Sequence, residues 1–131
     1  REEKGYTYNV FSTVDSMMLD GCFYIGTEVG NEFAEKTLAE IYKEFEKLQN
    51  DLVGDNEMEM VRNYLLGNLL TMLDGAFNVS EVIKAHILED LHLNEFSELV
   101  RVIKTTSPQE IQRLAQKYLN KKDMWEVQVG A

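Results

Sequence analysis

One stretch of sequence decides the fold: Gly21-Cys22-Phe23-Tyr24-Ile25-Gly26-Thr27-Glu28-Val29. Apolar or β-branched side chains occupy every second position from Phe23 to Val29, which is the period of a β-strand. Residues 6–11, YTYNVF, are also rich in aromatic and β-branched side chains and predict an earlier strand. The Asp20-Gly21 dipeptide between these segments suits a tight turn, so the two strands are predicted to form an antiparallel hairpin.

Downstream of the hairpin the apolar residues recur three or four positions apart, which predicts helices. Five helices are expected, over about 32–49, 56–74, 78–91, 94–103 and 108–118. Their starts are indicated by possible caps: Asn31, Asn56 with Glu59, Asn78 with Glu81, and Ser107-Pro108 with Glu110. Gly67 lies inside the second helix, where its intrinsic cost predicts close packing.

The last segment, Met124 to Val129, alternates again and predicts a closing strand. Two strands, five helices and one strand indicate an α+β architecture, with an antiparallel sheet carrying the helices on one face. Residues 1–131 are expected to form a single partial domain, because three strands are few for so much helix. Unpaired sheet edges invite pairing, so we expect the missing edge to be completed either by the remainder of the same domain, ahead of Arg1, or by a second copy of this chain in a homo-oligomer.

Charge and composition exclude several classes of partner. The 131 residues include 13 Lys and Arg against 23 Asp and Glu, for a net charge of −10, and the basic residues are scattered. Nucleic acid is therefore not an expected partner. No apolar run reaches the roughly 18 to 20 residues of a bilayer span, so no membrane partner is expected either. The single Cys forms no internal disulfide, which leaves cytoplasm and periplasm equally open.

The two histidines do not predict a metal site. His86, Glu89 and His92 are spaced so that on a helix the two rings would diverge by roughly 120°. A metal-binding pair requires a spacing of four, as in His-Glu-x-x-His, and Asp90 stands where the inverted motif needs its second His. No metal ligand and no catalytic residue are therefore assigned, and Cys22 is expected to be a packed thiol.

The first eight residues, REEKGYTY, are the remaining candidate site. Arg1 offers a fork of donors and Tyr8 offers one donor, and both could converge on a peptide carbonyl. The alternative is structural: Arg1 could pair with Glu2 or Glu3, and a Tyr in a strand commonly packs against its neighbours. The residues alone leave both interpretations open.

The same eight residues resemble the segment Leu-Arg-Glu-x-x-Gly-Leu-x-Tyr of the insulinase, pitrilysin and mitochondrial processing peptidase family of zinc peptidases. In that family the segment opens the central hairpin of the C-terminal domain. Residues 20–26 look like its second hairpin strand, 107–119 resemble a late helix, and 125–130 resemble the closing strand. Tyr6 stands where the family more often has Leu.

The resemblance implies a substrate-binding, non-catalytic domain of a zinc metalloendopeptidase, in which Arg1 and Tyr8 contact the peptide substrate. The family's His-x-x-Glu-His motif is absent from this chain. The resemblance therefore places zinc in an N-terminal catalytic half, in the same polypeptide or in a partner subunit, and implies that this chain alone is inactive. The alternative is an inactive interaction or structural subunit that has the same fold.

Overall fold

Two strands and five α-helices form the chain in a computed structural model, which describes residues 3–17, 19–92 and 94–130. The strands are β1, Thr7–Ser16, and β2, Gly21–Val29. The helices are α1, Ala34–Asn50; α2, Asp55–Met72; α3, Ala76–Leu88; α4, Glu95–Thr105; and α5, Pro108–Tyr118. Short 3-10 turns cover Asn31–Phe33 and Lys121–Asp123. The predicted α+β class is confirmed.

The chain divides into two compact units. One contains the residues up to Lys47 together with those from Leu119 onward, and the other contains Leu48–Tyr118. The hairpin and most of α1 therefore belong to the first unit, and α2 to α5 belong to the second. The expectation of one partial domain over residues 1–131 stays a prediction.

The hairpin forms as predicted. Antiparallel pairing runs from Thr7 opposite Val29 to Ser16 opposite Gly21. The turn is closed by two hydrogen bonds of 2.8 Å: Met17 N–H donates to the Asp20 carbonyl, and Gly21 N–H donates to Asp20 Oδ1. The Asp20-Gly21 dipeptide thus ends the turn and starts β2, because the short Asp side chain can accept a bond from the next backbone N–H.

The third strand that the sequence predicts is not formed by the described residues. Residues 124–130 do not form a strand, and the described sheet contains only β1 and β2. Trp125 and Val127 are exposed over 96% and 84% of their surface. Alternation predicts an extended backbone, but a strand also needs a neighbour that pairs with it, and this segment has none among the described residues.

The helix starts follow the predicted caps in one case and depart from them in three. Asn31 lies inside the 3-10 turn that Gly30 precedes, and α1 begins only at Ala34. Ser107 Oγ accepts a 3.2 Å bond from Glu110 N–H at the start of α5, as predicted. Helix α2 instead begins at Asp55 after Gly54, which puts Asn56 inside it. Asn78 lies inside α3, where its amide donates to the Asp74 carbonyl at 2.8 Å. It therefore satisfies a carbonyl just after α2 rather than an N–H at the start of α3.

The second unit is connected by side chains that reach the ends of neighbouring helices. Arg62 of α2 donates to the Ile103 carbonyl at 3.3 Å and to the Thr106 carbonyl at 2.6 Å. Gln116 of α5 donates to the Gln49 carbonyl at 2.8 Å. Each bond satisfies a carbonyl that the helix end leaves without an intrahelical partner. None of the described helices has the length and apolarity needed to cross a bilayer.

The expected close packing at Gly67 is wrong. A Cβ built at this position would have no described atom of another residue within 4 Å. Gly67 is exposed in the interior of α2. Its cost in helix propensity is therefore not offset by a contact that requires the missing side chain.

We expect Gly67→Ala to raise the free energy of unfolding by about 1 kcal/mol, because Ala lowers the entropy lost on helix formation. Denaturant unfolding followed by circular dichroism measures this change. Gly21→Ala is the opposite control, since its Cβ would lie 2.9 Å from the Asp15 backbone oxygen. This variant should lose about 1 kcal/mol or more through overpacking. A loss of stability in both variants would contradict the open environment of Gly67.

Candidate functional site

Tyr8 is the predicted site residue that the structure describes. It lies near the start of β1, and the residue is 85% exposed. Arg1 lies outside the described residues, so the predicted convergence of Arg1 and Tyr8 stays a prediction. The substrate contact of Tyr8 and its structural alternative, a strand residue that packs against its neighbours, both stay predictions.

A β-bulge sets the position of Tyr8. Thr7 is paired with Val29 and Val10 with Thr27, so Tyr8 and Asn9 both lie opposite Glu28. Because two residues of β1 lie opposite a single residue of β2, the strand bends and the side chains change direction at that point. Sequence reasoning missed this bulge. The available signal was Asn9, a residue type that is depleted in regular strands.

Two threonine hydroxyls bridge the bulge, and we call Thr7 and Thr27 the threonine pair. Thr7 Oγ1 lies 2.6 Å from the Asn9 carbonyl and 2.8 Å from the Glu28 carbonyl, and it accepts a 3.1 Å bond from Asn9 N–H. The Thr27 hydroxyl has two acceptors at hydrogen-bonding distance: Thr7 Oγ1, at 2.8 Å, and the Asn9 carbonyl, at 2.9 Å. The pair thus satisfies backbone groups that the bulge removes from the regular ladder.

The residues just before Tyr8 are fixed to the start of α1. The Tyr6 ring stacks on Phe33, with centroids 5.0 Å apart and planes 16° apart. Lys4 Nζ lies 3.4 Å from Glu40 Oε1. The pKa of the Glu40 carboxyl is lowered, first by its hydrogen bond from Lys43 and also by the charge of Lys4. Tyr6 therefore has a packing role, whereas Tyr8, two residues later, is exposed.

Gly5 provides the conformation that this attachment needs. Its φ of 64° is in the left-handed region, which other L-residues occupy only with strain. The residue lies between Lys4, which pairs with Glu40, and Tyr6, which stacks on Phe33. The left-handed backbone at Gly5 thus explains why a glycine occurs in the segment REEKGYTY, because it allows the chain to turn into β1.

The histidines are not brought together as metal ligands. His86 is half-buried, and its Nδ1 lies 2.8 Å from the Val82 carbonyl, to which it can donate. Helix α3 ends at Leu88, so Glu89 and His92 lie beyond the helix that carries His86. Across 3–17, 19–92 and 94–130, no three His, Cys, Asp or Glu side chains form a group that could hold a metal ion.

The expectation for Cys22 is wrong, since this thiol is exposed at the start of β2. The alternating pattern identified the strand but not which of its faces is covered. A strand covered on one face by a neighbouring element and a strand with both faces open have the same sequence period.

We expect Thr7→Val to lower the free energy of unfolding by about 1 kcal/mol, since valine keeps the shape and removes a hydroxyl that serves several backbone groups. Thr27→Val should cost a similar amount, and the double variant should cost less than the sum because the two hydroxyls share partners. Denaturant unfolding of all three measures the coupling. Thr13→Val, in β1 but outside the bulge, is the control; an equal loss there would remove the special role of the threonine pair.

We also expect this chain to retain no stoichiometric zinc after dialysis, because the His, Cys and carboxylate side chains that the structure describes lack a tetrahedral arrangement. Metal analysis by plasma mass spectrometry tests this. One tightly held zinc per chain, lost in His86→Ala and kept in the Thr13→Val control, would contradict the expectation.

The comparisons with known proteins concern the part of the chain that contains this site. The family model described as the peptidase M16 inactive domain matches residues 1–65, which include β1, β2, α1 and the first part of α2. None of the curated proteins matches the chain. The resemblance to the insulinase family is thereby confirmed for these residues, while the likeness of 107–119 and 125–130 stays a prediction. Residues 1–65 of this chain therefore match the inactive domain of the M16 peptidases.

Proposed function

We propose that this chain is the substrate-binding, non-catalytic part of a zinc-dependent metalloendopeptidase. The observation that carries the proposal is the exposed Tyr8 at a braced β-bulge, inside the segment that matches the M16 inactive domain. Zinc and the catalytic residues belong to a separate half, in the same polypeptide or in a partner subunit. The substrate is a peptide held in an enclosed cavity between the two halves.

The role of Tyr8 is to donate one hydrogen bond from its phenol to the substrate backbone. A phenol is neutral at physiological pH and offers its proton in a fixed plane, so it can bind a carbonyl oxygen without a charge being buried. The threonine pair and the Tyr6–Phe33 stack limit the movement of the strand on both sides of it. Such preorganised donors stabilise negative charge that develops on a peptide oxygen during hydrolysis.

Arg1 is proposed to bind the same substrate backbone, seven residues before Tyr8. Its guanidinium offers several donors in a planar fork, which suits a carbonyl or a tetrahedral oxyanion. The match to the family model begins at this residue and includes both Arg1 and Tyr8. The convergence of the Arg1 and Tyr8 side chains on one substrate is likewise proposed.

We expect Tyr8→Phe, in a protein or complex that supplies the zinc half, to reduce kcat/KM by roughly 100-fold, because one donor to the transition state is lost. Circular dichroism and the melting temperature should stay near those of the unsubstituted protein. Arg1→Ala should have a similar effect on activity. Peptide hydrolysis at several substrate concentrations measures these changes.

Tyr6→Phe is the matched control, because it keeps the ring that stacks on Phe33 and removes a hydroxyl to which we give no substrate role. Its activity should stay within about twofold. Loss of activity in Tyr6→Phe with a silent Tyr8→Phe would show that the substrate role is misassigned. Silence of Tyr8→Phe, Arg1→Ala and Tyr6→Phe beside an active zinc half would instead favour a structural or interaction subunit.

A further inference from the structure

The hairpin has two faces, and the threonine pair shows which of them carries Tyr8. The hydroxyls of Thr7 and Thr27 are bonded to each other at 2.8 Å, so these two side chains lie on the same face. Successive side chains of a strand point to opposite faces. Tyr8 and Glu28, which follow Thr7 and Thr27 and lie opposite each other at the bulge, therefore share the other face. We call it the Tyr8 face.

The two faces differ in burial at the end of β2 that pairs with the bulge. On the face of the threonine pair, Ile25, Thr27 and Val29 are half-buried. On the Tyr8 face, Tyr24 and Glu28 are exposed. The side chains of the Tyr8 face are therefore accessible on the same surface as the proposed substrate contact.

An aromatic pair is fixed on the Tyr8 face beside the bulge. Phe11 of β1 is paired with Gly26 of β2. A Cβ built at Gly26 would lie 2.5 Å from Phe11 Cζ, so the end of the Phe11 ring occupies the space that a side chain at position 26 would take. Tyr24 meets this ring edge to face, with centroids 6.0 Å apart and planes 84° apart. A glycine weakens the interior of a strand, but here it makes room for the ring.

The two rings of this pair are only partly covered. Phe11 is 47% exposed and Tyr24 is 45% exposed. In an edge-to-face pair, the ring that presents its edge keeps both of its own faces uncovered by the other ring. The face of an aromatic ring carries the negative part of its quadrupole, so it attracts the cationic end of Lys or Arg. The aromatic pair is therefore a surface on which a basic side chain can lie.

Glu28 places a full negative charge beside the aromatic pair. It follows Gly26 by two residues on the same face of β2, a separation of roughly 7 Å along the strand. Its backbone carbonyl lies 2.8 Å from Thr7 Oγ1, so the bracing of the bulge also holds Glu28 in position. Within 3–17, 19–92 and 94–130, no Lys or Arg pairs with the Glu28 carboxylate. A carboxylate beside aromatic rings is a combination that recognises a guanidinium or an ammonium group.

Charge favours a basic group on this surface over an apolar or acidic one. An apolar side chain would remove water from the Glu28 carboxylate without giving it a partner, which is costly. An Arg side chain can lie with its plane on a ring and direct its N–H groups to the carboxylate. The chain as a whole carries −10, so its field attracts cations and repels a second copy of itself.

We propose that the Tyr8 face selects peptides that carry a basic side chain, Arg or Lys, close to the peptide group bound by Tyr8. The stem of this side chain lies on the Phe11 and Tyr24 rings, and its charged end bonds to the Glu28 carboxylate. Phe11 and Glu28 are thus specificity-determining residues. The inference rests on the proposed function, because it takes Tyr8 as the contact to the substrate backbone.

The test titrates this chain with acetyl-Ala-Ala-Arg-Ala-Ala-amide and with the same peptide containing citrulline, which has the shape of Arg without its charge. Backbone amide shifts in NMR spectra locate the binding and measure its affinity. The Arg peptide should shift the amides of residues 8–11 and 24–28 saturably and bind about tenfold more tightly than the citrulline peptide. Glu28→Gln should reduce this preference to about twofold or less. Glu59→Gln, which removes an exposed carboxylate in the other unit, is the matched control and should keep the preference.

Two further variants test the rings and the backbone contact separately. Phe11→Leu keeps an apolar side chain and removes the ring, so it should weaken the Arg peptide by about threefold to fivefold and leave the citrulline peptide nearly unchanged. Tyr24→Phe keeps both rings and is its control. Tyr8→Phe should weaken both peptides by the same factor, because it removes a bond to the backbone that the two peptides share.

The outcomes separate this inference from the proposed function. Equal affinity for the Arg and citrulline peptides, or a full preference in Glu28→Gln, would overturn the inference and leave the substrate role of Tyr8 standing. Shifts confined to residues outside 8–11 and 24–28, or no saturable shift at millimolar peptide, would also overturn it. A preference that Glu28→Gln abolishes, together with unchanged binding by Tyr8→Phe, would support selection by Glu28 and contradict the role proposed for Tyr8.

Discussion

The bracing of the β1 bulge by Thr7 and Thr27 is the constraint on which the candidate site depends. A bulge removes backbone groups from the ladder, and a hairpin with few neighbours has little else with which to satisfy them. Two hydroxyls serve the Asn9 and Glu28 backbone at that point and bond to each other. The direction of Tyr8 relative to the sheet therefore depends on residues that do not themselves contact a substrate.

The attachment of the strand to α1 complements this bracing. Lys4 pairs with Glu40, Tyr6 stacks on Phe33, and the left-handed Gly5 between them lets both contacts form. The salt bridge is exposed and adds little to stability by itself, whereas the aromatic stack excludes water from two rings. Tyr6 is packed and has a structural role, whereas Tyr8 is exposed and has the proposed binding role.

Each unit buries few of its described residues, which makes specific polar contacts important. Among the described residues, Phe45 and Thr37 are buried in the first unit, and Met58 and Ala115 are buried in the second. Bonds from Arg62 and Gln116 to helix-end carbonyls connect elements of the second unit. In the first unit the extended segment after Asp123 is attached to α1 through Tyr42 and Glu126.

The sequence by itself determined the hairpin, the five helices and the cap at Ser107, because strand alternation, helical periodicity and cap chemistry are local properties. It also pointed to Tyr8 and, through the residues around it, to the family. The tertiary structure alone decided the bulge at Tyr8 and Asn9 and the exposure of Cys22. It also decided that Asn78 serves the end of α2 and that residues 124–130 stay outside the sheet. Each of these depends on which distant backbone group is within hydrogen-bonding distance, and a local pattern of residue types does not contain that information.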